Sequence, residues 1–212
     1  MQVLQRDVDH LASRRHLSDA MIDFYAQYLL EQTADKSKAG ILVLPSTLFH
    51  SIEAKKPPPL GSMSPADVFS MDVLVFLIDT DHHWFIALVS NLKQVKRYVT
   101  NKLQRKNAGV CGSSFVICTS SSLSSQALER KIWCYLTDIW MATSNYIIRM
   151  SVLGQVRLSL PSVMAPVEQQ HNRNDCGMYV LGYLARFLNA DSATRASLLS
   201  RLMMTKELWK SS

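Results

Sequence analysis

Residues 73–89 read VLVFLIDTDHHWFIALV, and this stretch decides the fold. Two apolar, β-rich runs, Val73 to Ile78 and Trp84 to Val89, flank the segment DTDHH. Neither run alternates apolar with polar residues, as a strand with one wet face would, so both belong in a sheet covered on its two faces. They are expected to be adjacent strands, with His82 and His83 at the end of that sheet. Period-two alternation sends the two imidazoles in opposite directions. His83, immediately before Trp84, stands where side chains of such a sheet commonly enter a site, although a lone histidine at a strand edge is more often structural.

Outward from this pair the pattern stays mixed. Ser18 and Asp19 precede Met21, Ile22, Tyr25, Tyr28 and Leu29, whose steps of three and four describe one face of a helix capped at its start. ILVLP (41–45) reads as a short buried strand or an extended run ended by Pro45, and KKPPPLGSMSP (55–65) as a surface loop. FVIC (115–118) predicts a third strand. A helix carrying Leu128, Ile132, Leu136, Ile139 and Trp140 on one face follows, then a fourth strand over Val156 to Leu160. Helices over Cys176 to Leu188 and roughly 193–204 close the chain, the second capped by Asp191 or Ser192. The inventory gives an α+β fold around a small central sheet, with no internal repeat.

The 212 residues, 48% hydrophobic and 19% charged, fit one domain spanning 1–212. No uninterrupted apolar run is longer than that of 73–78, far short of the roughly 20 residues of a membrane span. The opening MQVLQRDVDHL mixes charge into its apolar positions and carries no secretory core, so a soluble chain without a membrane partner is expected. Cys111, Cys118, Cys134 and Cys176 are sparse and form no CxxC pair, which argues against a disulfide framework or a zinc site and for a reducing compartment, nucleus or cytoplasm. No metal or cofactor is implied. Net charge is +6, and part of it comes from Lys93, Lys96, Arg97, Lys102, Arg105 and Lys106, a run with no acidic residue. That run is either a solvated loop or a patch that steers an acidic partner. No nucleic-acid motif accompanies it, and a monomer is expected.

The sharpest chemistry lies in QHNRNDCG (170–177). From Cys176 the apolar residues Tyr179, Val180, Tyr183, Leu184, Phe187 and Leu188 return at helical spacing, so the thiol shares a buried stripe but occupies its first turn. There the unsatisfied N–H groups and the positive end of the helix dipole are expected to favour a thiolate. Gly177 leaves room beside the sulfur for a close approach, and the amide of Gln170 is placed to help a backbone N–H hold an oxyanion. On these residues alone Cys176 is either a nucleophile or the first residue of a core helix.

Together these residues resemble the SUMO- and ubiquitin-like-protein-specific cysteine proteases, the sentrin-specific protease family of the adenain clan. The resemblance rests on His83-Trp84 at a strand, on Gln-x-Asn-x-x-Asp-Cys-Gly (Gln170, Asn172, Asp175, Cys176, Gly177) opening a helix, and on LSDAMIDFYAQYLL (17–30) upstream. STLFHSI (46–52) adds a weaker likeness, and the whole covers about residues 11–190. It implies an α+β cysteine-protease fold, a central mixed sheet packed against the catalytic helix and flanking helices. It also implies cleavage after the C-terminal Gly-Gly of SUMO or a related modifier, in a precursor or in a conjugate. Cys176 would be the nucleophile, His83 the general base and then acid, and Gln170 the oxyanion donor. Trp84 would line a channel that admits only glycine, with Asp19, Asn172 and Gly177 at the substrate.

Two positions depart from the family pattern. Thr119, followed by Ser120, stands where the family carries the aspartate that orients the imidazole. A hydroxyl can accept from the ring but brings no charge; in a serine-protease triad, replacing the acid by an amide costs about 10⁴ in turnover. Asp79 or Asp81 would substitute only if the loop bent back, and Asp175 is expected to cap the helix. His16 stands where many members place a tryptophan that covers the di-glycine. The stretch from His83 to Thr119 is longer than the usual hairpin, so 91–114 reads as a basic insertion. A catalytically impaired pseudoprotease that binds the modifier, and an acyltransferase of the same clan, are the alternative functions.

Overall fold

The computed structural model describes residues 3–13, 15–34, 38–53, 65–80, 83–93, 115–118, 131–132, 134–136, 162–164 and 174–200. In chain order the elements are α1 (Gln5–Ala12), α2 (Asp19–Gln32), β1 (Ile41–Leu44), α3 (Thr47–Glu53), α4 (Pro65–Val68), β2 (Val73–Thr80), β3 (His83–Ser90), β4 (Phe115–Cys118), β5 (Ser162–Met164), α5 (Cys176–Asn189) and α6 (Ser192–Ser200).

The five strands lie in sequence order, β1-β2-β3-β4-β5. The central three run antiparallel, while β1 and β5 each lie parallel to their neighbour, so the sheet is mixed. The apolar run of 73–89 becomes the β2–β3 hairpin, in register from Val73 opposite Ser90 to Thr80 opposite His83. Residues 73–78 and 84–90 are all buried, as a sheet covered on both faces requires.

One face of the hairpin, Val73, Val75 and Leu77 with Trp84, Ile86 and Leu88, joins Leu17, Ile22 and Ala26 and the α5 residues Cys176, Val180, Leu181, Leu184, Phe187 and Leu188 in a single core. α5 lies across β3 and against α2. On the other face, Phe76 meets Tyr135 edge-on with ring centroids 5.8 Å apart, and the helical residues Ile132 and Leu136 are buried beside it. Gly40, at φ +78°, turns the chain into β1, a conformation that suits glycine, and its carbonyl accepts from the N–H groups of Asp72 and Val73 at 2.8 and 3.0 Å.

α2 starts at the expected cap: the Ser18 hydroxyl accepts from the Met21 N–H at 3.4 Å and donates to the Asp7 carboxylate at 2.7 Å. Asp7, 5% exposed, also accepts from the Leu4 N–H at 2.9 Å, so α1 is tied to the start of α2. These two donors hold the Asp7 carboxyl below the usual carboxylate range. Ser18→Ala is expected to lower stability by about 1 kcal/mol, read as a fall in urea midpoint at constant slope. An unchanged midpoint would mean that Asp7 and α1 contribute nothing through this hydroxyl.

The helix at 19–32, strands β1 to β4 and helix α5 match the expectations. Asp191 caps α6, its carboxylate accepting from the Thr194 N–H at 2.7 Å. The strand expected over 156–160 lies outside the described residues, and the outer strand observed is Ser162–Met164, beyond Pro161. Helices α1, α3 and α4 are additions to the sequence reading. The insertion read at 91–114 is described only at its first three residues, of which Leu92 is buried.

Candidate active site

Cys176 is the first residue of α5 and is 3% exposed. Asp175 occupies the N-cap position, at φ −87° and ψ 3°, but its carboxylate makes no capping hydrogen bond, which corrects the expectation that it caps the helix. Its carbonyl instead accepts from the Tyr179 N–H at 3.0 Å.

Burial pushes the Cys176 thiol above its ordinary range, and the Asp79 carboxylate adds to that; the backbone N–H groups of Trp84, Gly177 and Cys176 itself pull the other way. The expectation of a first-turn thiolate is therefore overturned in direction. The helix start supplies its N–H groups, but taking the sulfur out of water outweighs them. A raised folded value contributes stability below the ordinary thiol range, and that contribution is lost as pH climbs through the folded value. Relative to Cys176→Ala, the wild type is expected to lose urea resistance progressively above about pH 8.5. Parallel curves for the two proteins between neutral pH and pH 10 would refute it.

Trp84 enters the core from β3, 4% exposed, and its Nε1–H donates to the Leu17 carbonyl at 2.9 Å. Asp79 is its cross-strand partner, which places that carboxylate at the thiol's end of the sheet. His83 pairs with Thr80 at the turn end of the hairpin, and its ring lies 6.5 Å from that of Phe85, centroid to centroid. Among the described residues His83 makes no hydrogen bond, and its Nδ1 is buried. His16 places an imidazole beside the sulfur, with its Nδ1 3.9 Å from Cys176 Sγ.

The space beside Gly177 is not open. A Cβ there would come within 3.0–3.2 Å of Leu17 and Ile22, so the missing side chain lets α5 approach the start of α2. This replaces the expected clearance for substrate with a packing role. Asp19 stands in the first turn of α2, its carboxylate 3.9 Å from His50 Nε2. Together with Asp79 these two bring ligand atoms within 4.8 Å of one another, the one group with metal-ligand spacing among the described residues. Gln170, Asn172, Thr119 and Ser120 lie outside the described residues.

His16, which the sequence reading set at the position of a di-glycine-covering tryptophan, is a direct neighbour of the thiol. It lies 160 positions from the thiol, and no spacing rule links the two. The usable signal was the departure itself, an ionisable side chain where the family pattern has an apolar one.

The mixed sheet packed against a helix that opens on Cys176 is the α+β arrangement of the cysteine-protease fold. The chain belongs to the Ulp1 protease family, whose C-terminal catalytic domain matches residues 15–207. It is 25% identical to Ubiquitin-like-specific protease 2 of Schizosaccharomyces pombe, over 94% of this chain and 35% of that protein. It is 22% identical to Ubiquitin-like-specific protease 2 of Saccharomyces cerevisiae, over 87% of this chain and 19% of that protein. The chain thus spans between a fifth and about a third of these curated relatives. Among solved structures, a de-sumoylating protease superposes with a TM-score of 0.64 at 15% identity, covering 94% of this chain and 78% of that one. The SUMO protease Ulp1, with its catalytic cysteine oxidized to a sulfenic acid, gives 0.53 at 18% identity, covering 94% and 81%.

Proposed function

We propose that this chain is a thiol-dependent protease domain that cleaves after the C-terminal Gly-Gly of SUMO or a related ubiquitin-like modifier, in a precursor or in an isopeptide conjugate. The observation that carries the reading is Cys176 in the first turn of α5, with backbone N–H groups from Trp84 and Gly177 directed at its sulfur, in a chain of the Ulp1 protease family. Cys176 attacks the carbonyl of the terminal glycine. Gln170 and a backbone N–H hold the oxyanion, and an imidazole removes the thiol proton and returns it to the leaving amine. His83 is the imidazole that the family resemblance assigns. Trp84, Asp19 and Asn172 belong to the substrate side, and Thr119 takes the place of the orienting acid. The modifier and its conjugates are the partners in this reading. The setting is a reducing compartment, nucleus or cytoplasm, in keeping with Cys134 and Cys176, neither of which is in a disulfide. No helix among the described residues is long and apolar enough to cross a membrane.

The test is incubation with precursors and di-glycine vinyl-sulfone probes of SUMO, ubiquitin and related modifiers, beside a Cys176→Ala control. Covalent capture at Cys176 with one class of modifier supports the reading. Retained binding of a modifier without capture would replace it with a pseudoprotease, the second reading, which Thr119 and the upward-shifted thiol favour. Acetyl transfer to a protein without peptidase activity would replace it with an acyltransferase.

A further inference from the structure

Sulfur chemistry at Cys176 requires a base within reach, because a buried thiol beside the Asp79 carboxylate rests in its neutral form. His83 stands one residue from Trp84, whose N–H faces the sulfur; its ring lies 6.5 Å from that of Phe85, and its buried Nδ1 has no partner among the described residues. His16 does reach the thiol, with Nδ1 3.9 Å from Sγ.

Its placement is held from both sides. On the chain side, the Leu17 carbonyl accepts from Trp84 Nε1 at 2.9 Å, and Ser18 is fixed by the α2 cap and by Asp7 at 2.7 Å. On the other side, the Arg15 N–H donates to the His10 carbonyl at 2.9 Å, joining the segment to the end of α1. Leu17 is itself packed against Gly177. Such anchors hold the backbone of His16 beside the sulfur on both sides.

We propose that His16 is a second catalytic imidazole of this site, which takes the Cys176 thiol proton through Nδ1 alongside the His83 imidazole that the family resemblance assigns. The S–H bond breaks, its electron pair stays on sulfur, and the proton forms an N–H bond at Nδ1 of the ring, whose other nitrogen carries the resting proton. The thiolate then adds to a peptide or isopeptide carbonyl, and the imidazolium gives its proton to the departing amine. The inference deepens the protease reading and rests on it for the second half of this sequence; the proton transfer itself needs no modifier.

The test therefore uses no modifier. The rate at which iodoacetamide alkylates Cys176 at neutral pH is read peptide by peptide in the wild type, His16→Gln, His16→Asn and His83→Gln, with the exposed Cys134 as internal reference. Asparagine keeps a polar group near the Nδ1 position but lacks its basicity. Both His16 variants are expected to slow Cys176 by about tenfold or more while leaving Cys134 unchanged, whatever His83→Gln does. Unfolding would expose the thiol and raise its rate, so slowing cannot come from a damaged fold. Cys176 rates within about twofold of wild type in both His16 variants overturn the proposal, as does a wild-type Cys176 that reacts no faster than they do. Either result leaves the protease reading to its own probes, whose failure in turn leaves the alkylation result standing.

Discussion

Cys176→Ala is expected to reduce release of a Gly-Gly-terminated modifier by about 10⁴-fold or more while leaving the fold intact. The large effect follows from the kind of group removed: without the sulfur no acyl-enzyme forms, and water attack on an oriented amide is left. The small structural effect follows from size, since a thiol and a methyl group differ by one heavy atom in a buried pocket. Single-turnover cleavage of precursor and of an isopeptide-linked substrate measures it. Residual cleavage above about one part in a hundred of wild type would move the nucleophile elsewhere. Binding of the intact modifier should survive, because the thiol adds little to the contact surface.

Trp84→Ala is expected to be the most destabilising single change near the site, at about 3–5 kcal/mol. The indole is 4% exposed, sits in the core between β3, α2 and α5, and donates its N–H to the Leu17 carbonyl. Truncation leaves a cavity and an unmatched carbonyl together. Trp84→Phe keeps most of the volume and loses the donor, so a smaller cost of about 1–3 kcal/mol is expected. Urea unfolding monitored by far-UV circular dichroism gives both numbers. Equal losses for the two variants would mean that the hydrogen bond, not the packing, dominates.

Much of this architecture was readable from residue order because the elements that hold it are apolar in a regular way. β2 and β3 are continuous hydrophobic runs, α2 carries a serine cap, and α5 repeats apolar residues at steps of three and four. The elements that were missed lack such marks. α1 is mostly polar, the apolar residues Val8 and Leu11 and the preceding Leu4 are exposed, and its anchor is a buried carboxylate, Asp7, which no hydrophobic pattern reveals. β5 is three residues long, too short for a period to show. At the site, the position of Cys176 was legible from its motif, but its depth was not. A helix start predicts a lowered thiol, and only the packing of α2 and β3 around it reverses the direction. His16 was legible as an anomaly and not as a neighbour, because its meeting with the sulfur depends on how α2 is seated.

The hairpin that opens at Thr80 and His83 closes over two residues, whereas Cys176 meets Trp84 from roughly ninety residues further along the chain. Local pairings form early and cheaply; those with large sequence separation wait for loop closure. On a ribosome, both imidazoles and the tryptophan therefore leave the tunnel well before the thiol. A chain released short of α5 carries α2 and β3 without Cys176, so under the proposed protease reading it would have no nucleophile to place between them.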